Sequence, residues 1–477
     1  MRGTGQDAQR GRAVAAALLR GQGGLAGSLA GSGPEAWIAF DQEVRRLGSH
    51  PDTALRSTRI EARLCDPDGR IRASALAAWR NPPLPLVLIR CADWVPQVRD
   101  RARRVLGRAV ANNPPGARYR TRRLLGQEVA DDSAHALTEL TPLVIRLGGR
   151  EHGTWALEQM EAALSGRYTL LAAWWRPGQA ATTWSWNSLT PKQRGAMLER
   201  LRKSTDLPTR RFATRLTLAT GQFGVREFAR GAAVEHDPWS SRMWTDAALA
   251  AMAADGPDDE AIDILLGGRR PMVRAAGVTA LRGAGRSAQA AEHLADRSAM
   301  VRACARWLVR QDGGDPYAHY LGLVTDPERV SRYAVAGFCE CARRDDTPLL
   351  HALLDHPADA VRAAALAGLR HLDATTPDAV LLAMLDDPSA SVTREAGLCL
   401  RPVARRLDPG ALAARTAPER PAHTRRAAFR LLRAQGGIAA LQASVALSVD
   451  PDPDLRRLVD PKVRRFVADT LLDDWSP

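Results

Sequence analysis

At 477 residues the chain exceeds what one compact core accommodates, so it either divides into domains or grows along one dimension. With 45% hydrophobic and 25% charged residues it is composed as a folded protein, and 5% aromatics beside abundant Ala and Leu favour packed helices over sheets. The formal charge of +14 admits a polyanionic partner, but it is carried by Arg, with Lys only at Lys192, Lys203 and Lys462. It is also concentrated at one end. Residues 1–130 hold 22 Arg against 11 acids, net +11, whereas residues 131–477 hold 45 basic against 42 acidic residues, net +3.

The first 34 residues combine a short apolar run, Ala13 to Leu19, with Arg20 and a Gly/Ser-rich stretch to Gly33. No stretch approaches the ~20 apolar residues of a membrane span, and 1–34 reads as a flexible tail. From residue 35 a phrase recurs: Asp, a short polar stretch often opened by Pro, then an apolar residue and Arg leading an Ala/Leu-rich helix. It occurs as Asp66-Pro67 with Ile71-Arg72 and as Asp93 with Val98-Arg99. It returns as Asp296 with Val301-Arg302, Asp326-Pro327 with Arg332, and Asp450-Pro451 with Leu455-Arg456. In all five copies the Arg follows the Asp by six residues. Partial copies lie at Arg274, Arg362, Thr393 and Arg425.

Along the second half the anchor position recurs at intervals of 28, 30, 30, 31, 32 and 31 residues, from Arg274 to Arg456. A fixed period of about 30 residues predicts an all-α chain built as an α-solenoid, a superhelical stack of helix pairs. Within each copy the apolar spacing is helical. Val98, Ala102 and Leu106 lie four apart, as do Ile71, Ala75 and Trp79; Val301, Ala305 and Val309; Val361, Ala365 and Leu369; and Val392, Ala396 and Leu400. The small middle residue permits close helix approach. Asp is expected to close the turn, Pro to stop the preceding helix, and the Arg to bridge to the turn Asp of its own or an adjacent repeat. The anchor arginines then belong to the fold.

This phrase resembles the HEAT-like repeats found in phycobilisome lyases and many bacterial scaffold proteins. The resemblance covers residues 55–110 and 236–475 well and 135–235 poorly. It implies partner-binding scaffolds, lyase-associated chaperone-like proteins or, more remotely, DNA-glycosylase-like activity, since some alkylpurine DNA glycosylases share the fold. The organisation expected is a tail over 1–34, basic repeats over 35–135, a divergent Trp-rich helical joint over 136–235 and regular repeats over 236–477.

Three segments depart from the phrase. Arg99 to Arg123 contains nine Arg and one acid, Asp100. Its candidate anion-binding residues are Arg101, Arg103, Arg104, Arg108, Arg118, Arg120, Arg122 and Arg123. The pairs Arg99/Arg103 and Arg104/Arg108 are expected side by side on the solvent face, an arrangement that like-charge repulsion disfavours unless an anion sits there. The alternative is a solvated Arg-rich face. Only Tyr119 lies within the stretch, so no base-stacking platform is evident.

The second departure is a tryptophan cluster: Trp155, Trp174, Trp175, Trp184 and Trp186. Trp174, Trp175, Trp184 and Trp186 are the candidate aromatic pocket; the structural alternative is that they fill the joint. The third is Tyr317-Ala318-His319-Tyr320, expected in an extended turn between repeats. Six scattered cysteines form no CxxC pair and suit a reducing compartment; Cys339-Glu340-Cys341 alone makes no metal site. No catalytic motif, cofactor motif or metal motif is present. The expected function is therefore a cytoplasmic, non-enzymatic interaction scaffold binding a macromolecular partner, foremost a protein. The alternative is nucleic-acid binding through residues 99–123.

Overall fold

The computed structural model describes residues 2–22, 28–29, 31–49, 59–78, 83–110, 128–165, 191–221 and 223–473. Among them every regular element is a helix, and none is long and apolar enough to cross a membrane. Trp79, Tyr119, Arg118, Arg120, Arg122, Arg123, Trp174, Trp175, Trp184 and Trp186 lie outside the described residues, as does the side chain of Arg108. The chain divides into two compact units, residues 1–251 and 252–477.

The first unit begins with a correction. Arg2–Leu19, expected as part of a tail, is a helix packed along Pro34–Gly48. Ala15, Leu18 and Leu19, spaced three and four apart, are buried in the same apolar cluster as Ala36, Phe40 and Val44. Gly11 explains why the composition misled: a Cβ there would fall 2.1 Å from the Ala36 carbonyl oxygen. The glycine that reads as looseness is what lets the two helices approach. Further along, Ile60–Leu64 packs on Gly69–Ala78 and Leu84–Arg90 on Pro96–Val110, and the two longer helices of these pairs pack on each other. Helices Glu128–Gly148, Thr154–Ser165, Pro191–Arg202 and Leu207–Ala219 continue the unit through the segment read as a joint.

In the second unit most repeats are a short first helix followed by a longer second one; Pro316–Val324 and Arg332–Cys339 are nearly equal, and Gly437–Ser448 precedes the short Pro453–Arg456. Asp259–Leu266 precedes Pro271–Ala280, Asp378–Met384 precedes Ala390–Leu400, and Pro409–Ala414 precedes Ala422–Gln435. From Arg332–Cys339 to Ala422–Gln435 each second helix packs on its own first helix and on the second helix next to it: Asp359–His371 lies against both Arg332–Cys339 and Ala390–Leu400. The apolar spacing read from the sequence is the buried face. Val301, Ala305, Val361, Ala365, Leu369, Val392, Ala396 and Leu400 are all at most 2% exposed.

The turn chemistry follows from the Asp. Its Oδ1 accepts the backbone N–H two residues on, at 3.0 Å for Asp93–Val95, 2.7 Å for Asp296–Ser298 and 2.8 Å for Asp387–Ser389. The Tyr317–Tyr320 segment departs from the extended turn expected there. Pro316–Val324 is a helix, N-capped by Asp315, which accepts from the Tyr317 N–H at 2.9 Å. Asp-Pro here is an N-cap followed by the first helical residue. Tyr320 is fully buried, its hydroxyl donating to the Leu294 carbonyl at 2.6 Å.

Candidate binding surfaces

The arginines divide into those that hold the fold and those that face water. Arg72 donates from Nε and Nη2 to the two carboxylate oxygens of Asp93 at 2.9 and 2.8 Å, and from Nη1 to the Asp66 and Pro67 carbonyls at 2.7 and 2.8 Å. Arg274 does the same with Asp296, at 2.8 Å twice, and with the Gly268 and Arg269 carbonyls at 3.0 Å. Arg362 repeats it with Asp387 at 3.0 and 2.9 Å and with the His356 and Pro357 carbonyls at 2.9 Å. Arg425 reaches Asp450. The guanidiniums of Arg72, Arg274 and Arg362 thus close their own turns through carbonyls and clamp the next repeat's turn through a carboxylate, spending their donors in one rigid fork, whereas Arg425 keeps the carboxylate link alone. Arg302 varies the theme, closing its own turn on the Asp296 carbonyl at 2.8 Å and sharing Glu340 with Arg306. Arg332 departs from it: exposed, it lies over the Tyr333 ring at 4.9 Å.

The segment read as irregular contains the same device with its duties split. Arg210 Nη1 donates to the Ser204 carbonyl at 2.6 Å, and Arg211 clamps Asp237 at 3.0 and 2.8 Å. Asp237 also accepts from the Ser240 N–H at 3.0 Å. The six-residue spacing from Ser204 to Arg210 is the sequence trace of this copy. It is hidden because Ser stands where Asp stands elsewhere.

The basic stretch of the first unit is smaller than its composition suggests. Arg99 closes its own turn on the Asp93 carbonyl at 2.9 Å, and Arg101 donates to the Ala73 carbonyl at 3.0 Å. Arg103 is half-buried with its guanidinium 4.9 Å from the Trp155 ring centre, and burial lowers its pKa. The expected solvent-side pairing of Arg99 with Arg103 is therefore corrected, because both spend their charge inside the fold. Arg104 is exposed. At Arg103 and Trp155 the basic stretch meets the tryptophan cluster.

Beside it, Asp93 is the centre of a buried ionic knot. It takes Arg72 and also Arg90, at 3.2 Å; Arg90 in turn reaches Asp41 at 2.5 Å. The Trp94 ring, 59% exposed, lies under two guanidinium groups, those of Arg45 and Arg72, each 4.5 Å from its centre.

The surface that sequence reading missed is apolar. Helix Gly437–Ser448 buries Ala440, Ala443 and Leu447 on one side. On the other, Ile438, Leu441, Val445 and the following Val449 stand 77, 57, 40 and 59% exposed. Their spacing of three, four and four residues makes one stripe. Residues 434–449 carry no charge in a chain where one residue in four is charged, and that run is the signal that could have found it.

Among the described residues no group of three His, Cys, Asp or Glu is placed to hold a metal ion. The six cysteines are unpaired, and burial pushes Cys339 up to about 12 and Cys399 to about 11, so neither is a nucleophilic thiolate. Glu340, between Cys339 and Cys341, is engaged by the two arginines described above. No known protein family matches the chain, and no curated protein is similar to it.

Proposed function

We propose that this chain is a non-enzymatic α-solenoid scaffold of HEAT-like helix pairs, working in the cytoplasm, that holds another protein against the apolar face of Gly437–Ser448. The observation that carries the reading is the stripe Ile438, Leu441, Val445 and Val449, left open to water on a helix without charge. Folded monomers rarely leave large contiguous apolar patches uncovered, and covering one gains roughly 25 cal/mol per Å². With no charge from residue 434 to 449, the fitting occupant is a protein surface that is itself apolar and uncharged, such as one face of an amphipathic helix.

The neighbour-to-neighbour packing of second helices supports the solenoid, an architecture that works through extended surfaces. Unpaired cysteines fit a reducing compartment. A photo-crosslinking residue placed at Ile438 in cells is expected to capture a different protein. The same capture should be lost with Leu441→Glu/Val445→Glu, whose melting temperature stays at the parent value because both side chains face water. Crosslinking confined to a second copy, no crosslink, or turnover of a small substrate by the pure chain would overturn the proposal.

A further inference from the structure

The near-neutral charge of residues 131–477 conceals a segregation that appears only on the folded second unit. Its last three long second helices, Asp359–His371, Ala390–Leu400 and Ala422–Gln435, contain two acids between them. Asp359 sits in a first turn, and Glu395, 6% exposed, is held by Arg370 at 3.2 Å and Arg394 at 2.8 Å. Acids gather instead in the turns between helices, as with Asp373, Asp386, Asp387 and Asp408.

The three helices are held in register at their starts. Arg362, in the first turn of one, clamps Asp387 before the next, and His423, in the first turn of the third, reaches the Asp387 carbonyl at 3.2 Å. Positions equally far from these anchors therefore lie in rows. Eight residues past Arg362, Thr393 and Arg425 stand Arg370, Arg401 and Arg433, all exposed. The row lies about 12 Å along the helix axes from the anchors, with about 8–10 Å between neighbours. Arg430 is exposed one turn before Arg433. Arg310 holds the eighth position after Arg302, separated from the row by Glu340 at the eighth position after Arg332, a carboxylate already taken by Arg302 and Arg306. Arg310, Arg401 and Arg430 have no carboxylate partner among the described residues.

We propose that this face of the second unit binds the phosphate backbone of a nucleic-acid duplex. The charges are guanidiniums, which pair with phosphate oxygens in a bidentate fork and stay protonated. Arg370, Arg401 and Arg433 are carried in a line by three helices packed one on the next, as a regularly charged backbone requires. The same face offers few anchors for a protein: among the described residues of helix Ala390–Leu400 the one exposed large apolar side chain is Leu398, 38% exposed. Without a base-stacking platform the contact reads charge, not sequence.

Fluorescence anisotropy with a short labelled DNA duplex, and in a second arm an RNA duplex, tests this on the full chain. If about four phosphates are neutralised, log K falls against log salt with a slope of about −3.6, an affinity loss of about 150-fold between 50 and 200 mM. Arg310→Gln/Arg401→Gln/Arg430→Gln removes charges that hold no part of the fold. It should leave the thermal melt unchanged while weakening binding at least about tenfold and flattening the slope by about 2.7. Arg104→Gln, on the first unit, should leave binding at the parent level. The inference is overturned by no duplex binding at low salt or by a triple variant that binds as the parent does. It is equally overturned by loss of binding with Arg104→Gln, or by polyglutamate that competes as well as a duplex of equal charge, which would assign the face to an acidic protein.

Discussion

Replacing Asp93 by Ala tests whether the buried guanidinium–carboxylate links are what hold consecutive repeats together. Asp93 and Arg72 are both completely buried as side chains, and Arg90 is 2% exposed. Removing the carboxylate strands Arg72 without a counter-charge and halves the partners of Arg90, which keeps Asp41. Breaking one partner of a buried pair costs about 3–5 kcal/mol, a large share of the roughly 5–15 kcal/mol that holds a domain folded.

Asp93→Asn separates the parts, since it keeps an acceptor for the Val95 N–H while losing the charge. The double variant Arg72→Met/Asp93→Leu removes both charges and is expected to cost less than Asp93→Ala alone, because no buried guanidinium is then left without a carboxylate, Arg90 keeping Asp41. Urea unfolding followed by circular dichroism measures each variant, and the double-mutant cycle gives a coupling of about 2 kcal/mol or more. An Asp93→Ala cost below about 1 kcal/mol, or additivity of the two substitutions, would refute the reasoning.

Gly368→Ala should destabilise by about 1–3 kcal/mol although Ala is the better helix former, because its Cβ would fall 2.2 Å from Cys339 Sγ. Cys339→Ala in the same chain should recover most of that loss, and Gly322→Ala, where no atom lies within 4 Å, should stabilise; thermal melts decide both. The Arg211 fork, with the Ser240 N–H and hydroxyl, holds the Asp237 carboxyl well below the usual carboxylate range. A depressed folded-state pKa contributes stability above the unfolded value of about 3.9 and loses it as pH falls toward the folded value. The stability difference between the parent and Asp237→Asn should therefore be constant near neutrality and shrink below about pH 4, as read by denaturant midpoints; parallel curves into acid would exclude the link.

The anchor arginines were legible because their duty is local. An Arg six residues after the turn residue can return to that residue's carbonyl within one turn of chain, as Arg72 does to Asp66, Arg302 to Asp296 and Arg362 to His356, with Arg332 the exception. The choice between own and adjacent carboxylate was not local, and packing made it: the clamp goes to the next repeat, from Arg72 to Asp93 and from Arg274 to Asp296. The copy at Ser204–Arg210 stayed hidden for the opposite reason, since its geometry persists while its first residue changes.

Periodicity by itself determined that the chain is helical, where the second helices lie and which of their faces is buried, because a face at i, i+4 and i+8 is a property of one helix. The tertiary structure decided what each surface residue does. It turned Arg2–Leu19 from a tail into a packed helix by giving its apolar side a neighbour at Ala36 and Phe40, and it drew Arg101 and Arg103 out of the solvent. It left Ile438, Leu441 and Val445 uncovered, and it sorted a near-neutral stretch into acidic turns and an arginine row. Composition sums charge along the chain, whereas a partner meets only the charge and apolar area that packing leaves outside.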